Sequence, residues 1–378
     1  MRPYATILIG AVLVLLSVGI VILASTGSVR GEALFADAHY FVTRQLIWLL
    51  VAVVAAAVLM RVDYHRWQAL AFPAWGAGAL LLALVLVPGI GVEINSSYRW
   101  LRFGPLSLQP SELAKFATVA ALAAWMSAAG RKAREFKTGL VVPLAGLGLV
   151  LVLILLAPDY GTMLLLALAG FAVMWAGGTR LSYLTVTGVL GLGLFLLAVA
   201  HDPVRAGRML AFMHPESHPA IAHHLAQSKI AFIHGGTWGV GLGNSMQKQF
   251  YLPEAHTDFI FAIIGEELGF AATILVVALF ATILVCGLTI SARAADSFGK
   301  LLAFGMTMLI VLQAFMNIGV VTGCLPTTGI PLPFMSYGGT SLVVSMACVA
   351  VLLNVAYHDD AAYRDRHTRV IKDRLHRI

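Results

Sequence analysis

The sequence predicts an all-α, polytopic integral membrane protein with about ten transmembrane helices. Of its 378 residues, 60% are hydrophobic and only 11% are charged. Apolar runs of roughly 17–25 residues recur from end to end, and each is long enough to cross a hydrocarbon core of about 30 Å. Short basic connections alternate along the chain with longer, less basic ones. A soluble α/β protein would not repeat apolar runs of this length. We therefore expect a single membrane domain over residues 1–378.

Each predicted span corresponds to one apolar run. The first run is too long for the core of a signal peptide and lacks a convincing cleavage site, which indicates a retained helix. The eighth run is unusually long, which indicates a tilted helix or one that extends beyond the bilayer. The predicted spans are roughly residues 5–25, 43–60, 68–88, 111–128, 139–157, 162–177, 182–200, 258–290, 301–323 and 339–357.

The distribution of Lys and Arg predicts the orientation. The termini and every second connection between the predicted spans form one set of short segments, which contains 16 of the 25 basic residues. The remaining nine are spread over the longer loops of the other set. Short loops rich in Lys and Arg remain in the cytoplasm. Both termini are therefore expected inside, including a basic tail over residues 358–378. The large loops, at about residues 89–110, 201–257 and 324–338, are expected outside. The scattered basic residues lack interleaved aromatic residues and do not indicate nucleic-acid binding.

The stretch LPEAHTDF, residues 252–259, brings polar groups to the outer end of the eighth span. Thr257 and Asp258 are able to cap that helix, because their side-chain oxygens accept hydrogen bonds from its free N–H groups. Capping explains an Asp at this position without any function. It does not explain why Glu254 and His256 lie beside it.

Ionisable residues also occur inside the predicted spans. Glu112 and Lys115 are three residues apart on one helical face, so a salt bridge is a sufficient explanation for them. Lys115 nevertheless lies one turn into an apolar span, where an ionisable residue is a functional candidate by default. Glu266 and Glu267 lie about 12 Å along the helix from Asp258. They either reach a polar cavity or pair with buried Lys or Arg.

Further polar segments are predicted at the same outer face. Gly, Pro and Ser in the loop before the fourth span predict the absence of regular structure there, and this loop carries Arg99 and Arg102. Asp159 lies in the tight turn PDYGT, where an Asx turn and a site residue are equally good explanations. Ser336 lies in a loop that its prolines and paired glycines prevent from being helical. Irregular backbone near membrane depth persists only where it lines a buried or wet cavity, so we expect such a cavity here.

The longest outer loop, residues 201–257, contains seven of the twelve histidines. His223 and His224 are adjacent, but no ligand spacing supports a zinc site. The glycine-rich sequence over residues 228–254 predicts ordered irregular backbone in place of a helix.

Acidic and basic groups together at the outer face suit a lipid-linked phosphate substrate. Cations would hold a pyrophosphate, and a carboxylate would take a proton from a sugar hydroxyl. Glycosyl transfer requires both. One alternative is a lipid flippase, which predicts charged groups along a path through the bilayer and broken helices near its midplane. Another is a non-catalytic scaffold, whose basic tail would bind a partner or anionic lipid.

Four segments of the chain resemble the SEDS family of peptidoglycan polymerases, which includes RodA and FtsW. They are RWLRFGPLSLQPSELAK (99–115), PDYGT (158–162), the segment from QSKIAF to EELGF (227–270) and NIGVVTGCLPTTGIPLPFMSYGGTS (317–341). The resemblance covers nearly the whole chain. The sequence YLPEAHTDFIFAIIGEELG is more similar to the division branch, FtsW, than to the elongation branch, RodA.

This resemblance implies an inverting glycosyltransferase of the bacterial inner membrane, with its active site facing the periplasm. It would polymerise lipid II into β-1,4-linked glycan and release undecaprenyl pyrophosphate. The family's essential aspartate falls on Asp258. This residue is expected to be the general base, or to orient the base and a bound divalent cation, Mg²⁺ or Mn²⁺. The expected partners are a class B penicillin-binding protein and other division or elongation proteins. The expected substrate-binding residues are Arg99, Arg102 and Lys115, followed by Glu112, Asp159, Glu254, His256, Thr257 and Ser336.

Overall fold

The computed structural model describes residues 2–94, 97–103 and 106–375, and over this part of the chain it is an all-α membrane protein. Nine of the described helices are long and apolar enough to cross a membrane, and one further apolar helix is shorter. Together they correspond to the ten predicted spans, which confirms the predicted fold class. The helices are α1 Arg2–Phe35, α2 Tyr40–Arg61, α3 Tyr64–Val85, α4 Pro110–Ala129, α5 Val142–Leu156, α6 Tyr160–Ala176, α7 Leu181–His201, α8 Pro203–Met213, α9 Pro219–Gly235, α10 Ile260–Arg293, α11 Ser297–Val321 and α12 Gly339–Leu375.

The centre of the bundle is formed by α4, α11 and α12, which are mostly buried, whereas α7 lies at the periphery. Close approach of α11 to α4 depends on Gly305, because a Cβ there would lie 2.4 Å from a methyl group of Val119. Beyond the predicted tenth span, α12 continues to Leu375 through most of the predicted basic tail. Residues 376–378 of that tail lie outside the described residues.

The outer loop before α4 contains a small antiparallel sheet, so the expectation of no regular structure there was wrong. Its strands are β1 Gly91–Ile94, β2 Ser97–Phe103 and β3 Leu106–Leu108, paired in the order β1-β2-β3. Side chains alternate between the two faces of a strand. Arg99 therefore shares the inward face of β2 with the buried Leu101, whereas Arg102 is on the other face and is exposed.

Two helices occupy the first part of the long outer loop, so the predicted irregular backbone is wrong for residues 228–235. The start of α8 follows standard helix chemistry, because the Asp202 carboxylate accepts hydrogen bonds from Val204 N (3.0 Å) and Arg205 N (3.2 Å). Pro203 occupies its first position, where no N–H donor is required. Beyond α9 the backbone is largely irregular up to α10, as predicted, apart from a single π-helical turn at Gln247–Tyr251.

Glu267 on α10 is fully buried and forms an ion pair with Lys248, with Nζ 3.1 Å from Oε1. The same oxygen accepts a hydrogen bond from the Ser25 hydroxyl of α1 at 2.5 Å. Lys248 Nζ also donates to Ser25 Oγ and to the Gly243 carbonyl. Glu267 is therefore the partner of a buried Lys, the second of the two alternatives.

Glu266 anchors the irregular segment before α10 by accepting hydrogen bonds. It too is fully buried and does not line the outer cavity described below. Its carboxylate accepts from the backbone N–H groups of Met246 (3.1 Å) and Gln247 (3.3 Å). Its other neighbours are the Ser245 hydroxyl, which donates to it, and His234 Nδ1 at 3.0 Å.

The Lys248→Met substitution should lower the free energy of unfolding by roughly 3–5 kcal/mol, because it leaves the Glu267 carboxylate buried without a cation. The double variant Lys248→Met/Glu267→Met should recover most of that loss, since an apolar pair replaces the ion pair. Thermal and denaturant unfolding of the detergent-purified protein measures both effects. A double variant no more stable than the single one would contradict this account.

Candidate active site

A cavity of about 810 Å³ lies between the helix ends at the face that the basic residues predict to be the outer one. Its walls come from β2, α4, α6, α8, α9, the segment before α10 and the loop after α11. Four predicted site residues lie elsewhere: Arg102, Lys115, His256 and Ser336. The predicted site residues that line the cavity are Arg99, Glu112, Asp159, Glu254, Thr257 and Asp258.

Asp258 precedes α10 by two residues and presents a partly exposed side chain to the cavity. The cap position of α10 is Phe259, and among the described residues no side chain caps it, so the interpretation of Thr257 and Asp258 as caps was wrong. The turn before the helix is closed by backbone bonds instead, because both Thr257 N and Phe259 N donate to the Glu254 carbonyl. The Asp258 carboxylate is thus left to face the cavity.

The Asp258 backbone is held by α11. Asn317 Nδ2 donates to the Asp258 carbonyl at 2.8 Å and to the Ile330 carbonyl at 2.7 Å. Ile330 belongs to the loop after α11, whose neighbouring Gly329 approaches the carboxylate closely. A Cβ at Gly329 would lie 3.6 Å from Asp258 Oδ2, and its φ of +77° favours glycine.

Ser336 joins the same two segments from behind the cavity wall. Its hydroxyl donates to the Thr257 carbonyl at 2.6 Å and accepts from Leu332 N at 2.8 Å. His256 is also behind the wall, where its ring packs against Phe41 with centroids 4.6 Å apart. Burial, with a smaller effect of Arg30, lowers the pKa of His256 to about 4, so the imidazole is neutral.

Burial and a neighbouring carboxylate raise the pKa of Asp258 to about 7. Desolvation contributes most: although the carboxylate faces the cavity, the surrounding walls keep it from bulk water and disfavour its charged form. Glu254 adds to the shift by repulsion. Arg208 and Arg99 act in the opposite direction. The carboxyl group therefore changes its charge near neutral pH.

The Glu254 side chain is held by two contacts, and its backbone has an unusual conformation. Its carboxylate forms an ion pair with Arg30 of α1 (3.1 Å) and accepts a hydrogen bond from Thr257 Oγ1 (3.1 Å). Its φ of +53° lies in the left-handed region, which residues other than glycine rarely adopt. Such conformations persist where the surroundings impose them, and they concentrate at functional sites.

Three arginines line the cavity opposite these carboxylates: Arg99, Arg205 and Arg208. The Arg99 guanidinium lies 3.7 Å from Asp159 and donates to the Ala157 carbonyl. Arg205 pairs with Asp202 at 3.2 Å. Among the described residues, Arg208 has no salt-bridge partner.

Sequence reasoning did not single out Arg205 and Arg208. The sequence contains a signal that would have found them. Asp202 and Pro203 are typical of a helix start, and Arg205 and Arg208, three residues apart, would then share one face of that helix. Asp159 is a helix cap and also lines the cavity. It accepts from Thr162 N at 3.3 Å at the start of α6 while lining the cavity.

Lys115 lies one helical turn along α4 from the cavity residue Glu112 and neutralises its carboxylate. Its Nζ is 2.8 Å from Glu112 Oε1 and 3.0 Å from Gln313 Oε1, and both members of the ion pair are buried. Gln313 in turn donates to the Pro331 carbonyl and to Ser341 Oγ. The predicted salt bridge therefore exists, and it extends into a network that reaches the loop after α11.

Within the described ranges, no group of three or more His, Cys, Asp or Glu side chains is arranged to hold a metal ion. Of the histidine pair considered for zinc, His224 lines the cavity and His223 is exposed. Binding of Mg²⁺ or Mn²⁺ at Asp258 stays a prediction.

A family model described as cell cycle protein, FtsW/RodA/SpoVE, matches residues 5–361. The chain belongs to the FtsW/RodA/SpoVE family. This confirms the resemblance proposed from the four sequence segments. Similar relatives include a probable peptidoglycan glycosyltransferase FtsW of Trichlorobacter lovleyi, 41% identical over 94% of each chain. Stage V sporulation protein E of Bacillus subtilis is 38% identical over 91% of this chain and 94% of its own.

Solved structures share the family fold. A structure described as a peptidoglycan synthase complex that coordinates polymerization and crosslinking has a TM-score of 0.77 and 29% identity, with 93% of this chain and 97% of the other covered. Thermus thermophilus RodA has a TM-score of 0.68 and 26% identity, with 93% and 95% covered.

The Ser336→Ala substitution should lower the free energy of unfolding by about 1–3 kcal/mol, because the Thr257 carbonyl and Leu332 N each lose a buried partner. Ser17→Ala is the matched control, since that exposed hydroxyl donates only to the Leu13 carbonyl of its own helix. Thermal unfolding of both purified variants tests the difference. Equal stability of the two variants would show that Ser336 does not hold these segments together.

Proposed function

We propose that this chain polymerises lipid II into β-1,4-linked glycan strands and releases undecaprenyl pyrophosphate. The observation that carries the proposal is a carboxylate with a pKa of about 7, Asp258, in one cavity with Arg99, Arg205 and Arg208. The name of the Trichlorobacter lovleyi relative, a probable peptidoglycan glycosyltransferase, supports the same reaction class.

Asp258 acts as the general base in this proposal. Its carboxylate takes the proton from the 4-hydroxyl of the acceptor GlcNAc, and the freed oxygen attacks C1 of the donor MurNAc. The bond between C1 and the pyrophosphate oxygen breaks, and the configuration at C1 inverts. A general base is most effective when its pKa lies near the working pH, as it does here. No covalent enzyme intermediate is needed, so one carboxylate suffices.

The arginines stabilise the leaving pyrophosphate. Guanidinium groups bind phosphate oxygens through paired N–H donors, and they retain their charge in a buried site. Arg208 is the best placed because the structure gives it no salt-bridge partner among the described residues. Burial and the neighbouring arginines lower the pKa of Arg208. Arg99 is oriented by Asp159, and Lys115 acts indirectly by neutralising Glu112. In this scheme Thr257 holds Glu254, whereas His256 and Ser336 support the wall.

The reaction would take place at the periplasmic face of the inner membrane, with the basic connections on the cytoplasmic side. A class B penicillin-binding protein would be the partner that crosslinks the new strands. The similar solved complex supports such a partner, because its description combines polymerization with crosslinking. Relatives named FtsW favour a role in division over a role in elongation.

Transport of lipid II is the alternative, and the placement of the membrane carboxylates argues against it. A flippase requires charged groups along a path through the bilayer. Glu266 and Glu267 instead hold the segment before α10 through Lys248 and backbone N–H groups.

The Asp258→Asn substitution should reduce the rate of polymerisation by about 10²–10⁴-fold, because the amide cannot take the acceptor proton. The protein is purified with its transpeptidase partner, the transpeptidase is blocked, and labelled lipid II is followed as glycan ladders, with and without Mg²⁺ or Mn²⁺. A thermal melt verifies folding. If the folded variant polymerises at the wild-type rate, the base is a different residue. If the wild type forms no glycan but moves lipid II across vesicles, the chain is a transporter.

The pH dependence should follow the ionisation of Asp258. Because the base must be ionised, the rate should fall about tenfold per pH unit below pH 7 and level off above it. Glu254→Gln removes the carboxylate that raises the pKa of Asp258 by repulsion, so its acid limb should move to lower pH. Glu32→Gln, which removes an exposed carboxylate outside the cavity, is the control. An acid limb that moves equally in both variants, or in neither, would contradict the assignment.

A further inference from the structure

An apolar groove of about 270 Å³ lies between α3, α4 and α5, well below the outer cavity. Its floor contains Leu122 and Leu147, which are buried, and its rim contains Phe72, which is about half exposed. Two tryptophans, Trp75 and Trp125, form its sides. Trp125 is thirteen residues along α4 from the cavity residue Glu112, a rise of about 20 Å.

The groove ends beside a strongly basic turn. Trp125 Nε1 donates to the Thr138 carbonyl at 2.9 Å, and Val142 and Pro143 of the groove directly follow the turn Lys137–Val141. This turn and the preceding one, Gly130–Arg134, lie at the face that the basic residues predict to be cytoplasmic. Their four cations are exposed, and within the described part of the chain none has an ion-pair partner: Arg131, Lys132, Arg134 and Lys137.

We propose that the groove and the basic turn together bind one anionic phospholipid of the cytoplasmic leaflet. An acyl chain occupies the groove, and the headgroup phosphate lies against the cations of residues 131–137. A groove left empty would deprive its lining of dispersion partners. Because the groove is open at an apolar rim within the bilayer, a lipid chain is the molecule available to fill it.

The acyl chain and the headgroup of the lipid have different roles in this site. Lipid tails are as apolar as the groove lining, so chain burial alone gives little preference over the surrounding bilayer. Preference for a particular lipid therefore has to come from charge. Basic pockets on the cytoplasmic side of a helix bundle recognise anionic headgroups, and unpaired exposed cations beside the groove meet that requirement.

A substitution that fills the groove tests whether the acyl chain of the lipid binds there. Gly146 borders the groove, and a Cβ there would meet only Trp75, at 3.9 Å. Gly146→Leu should therefore fill the groove without displacing the backbone. Gly148→Leu is the matched control, because it lies two residues away on α5, outside the groove lining, and nothing lies within 4 Å of its Cβ. Native mass spectrometry of the full chain measures binding of phosphatidylglycerol and of phosphatidylcholine with the same acyl chains.

Removing charge tests where the headgroup binds. Arg134→Gln/Lys137→Gln should weaken phosphatidylglycerol binding about 25-fold, at roughly fivefold for each charge, and should leave phosphatidylcholine binding unchanged. Arg61→Gln/Lys300→Gln removes two exposed charges from other connections on the same predicted face and is the control.

We expect the wild type to prefer phosphatidylglycerol, Gly146→Leu to lose binding, and both controls to bind as the wild type does. The proposal is overturned if wild-type affinity is equal for the two lipids, if Gly146→Leu binds normally, or if both charge variants lose affinity equally. Thermal melts verify that each variant is folded. Lipid binding is read without polymerisation, so this result is independent of the proposed reaction.

Discussion

The outer site depends on two hydrogen bonds that the side-chain amide of Asn317 donates. Two irregular segments, one before α10 and one before α12, lie at the outer ends of the helices, where backbone groups need partners within the protein. Asn317 donates one hydrogen bond to each segment, at Asp258 and at Ile330. The segments then bond to one another through Ser336 and through Tyr337 N, which donates to the His256 carbonyl. Two irregular segments of the chain thus form one hydrogen-bonded wall that holds the Asp258 backbone.

The carboxylates of the cavity differ in whether a basic side chain neutralises them. Glu112 is neutralised from below by Lys115, Glu254 from the side by Arg30, and Asp159 partly by Arg99. Asp258 has no ion-pair partner among the residues that the structure describes, so desolvation is the main influence on its proton affinity. A paired carboxylate at the same position would have a low pKa and would be a poor base. The reactivity proposed for Asp258 therefore depends on the pairing of its neighbours.

The sequence was sufficient to predict the ten apolar helices, because the length of an apolar run is local information. It also predicted the Glu112–Lys115 pair, since helical spacing is local information. Asp258 was chosen through family resemblance, and the capping role inferred from its position failed because backbone carbonyls had already closed that turn.

Arg208 was missed because its importance depends on α8 folding over the cavity, which is a tertiary feature. Arg102 was grouped with Arg99 because β2 was not recognised. Once a strand is assigned, alternation separates the two arginines onto opposite faces.

The ion pair between Arg30 and Glu254 has a consequence for the way the membrane acts on this site. Arg30 lies near the outer end of α1, a helix of 34 residues that is about 50 Å long. A change of about 5° in the tilt of α1 about its inner end would displace that outer end by roughly 4 Å. Such a displacement would stretch the 3.1 Å contact between Arg30 and Glu254. Bilayer thickness influences helix tilt. Through Arg30 and Glu254, the thickness of the surrounding bilayer would therefore act on the proton affinity of Asp258.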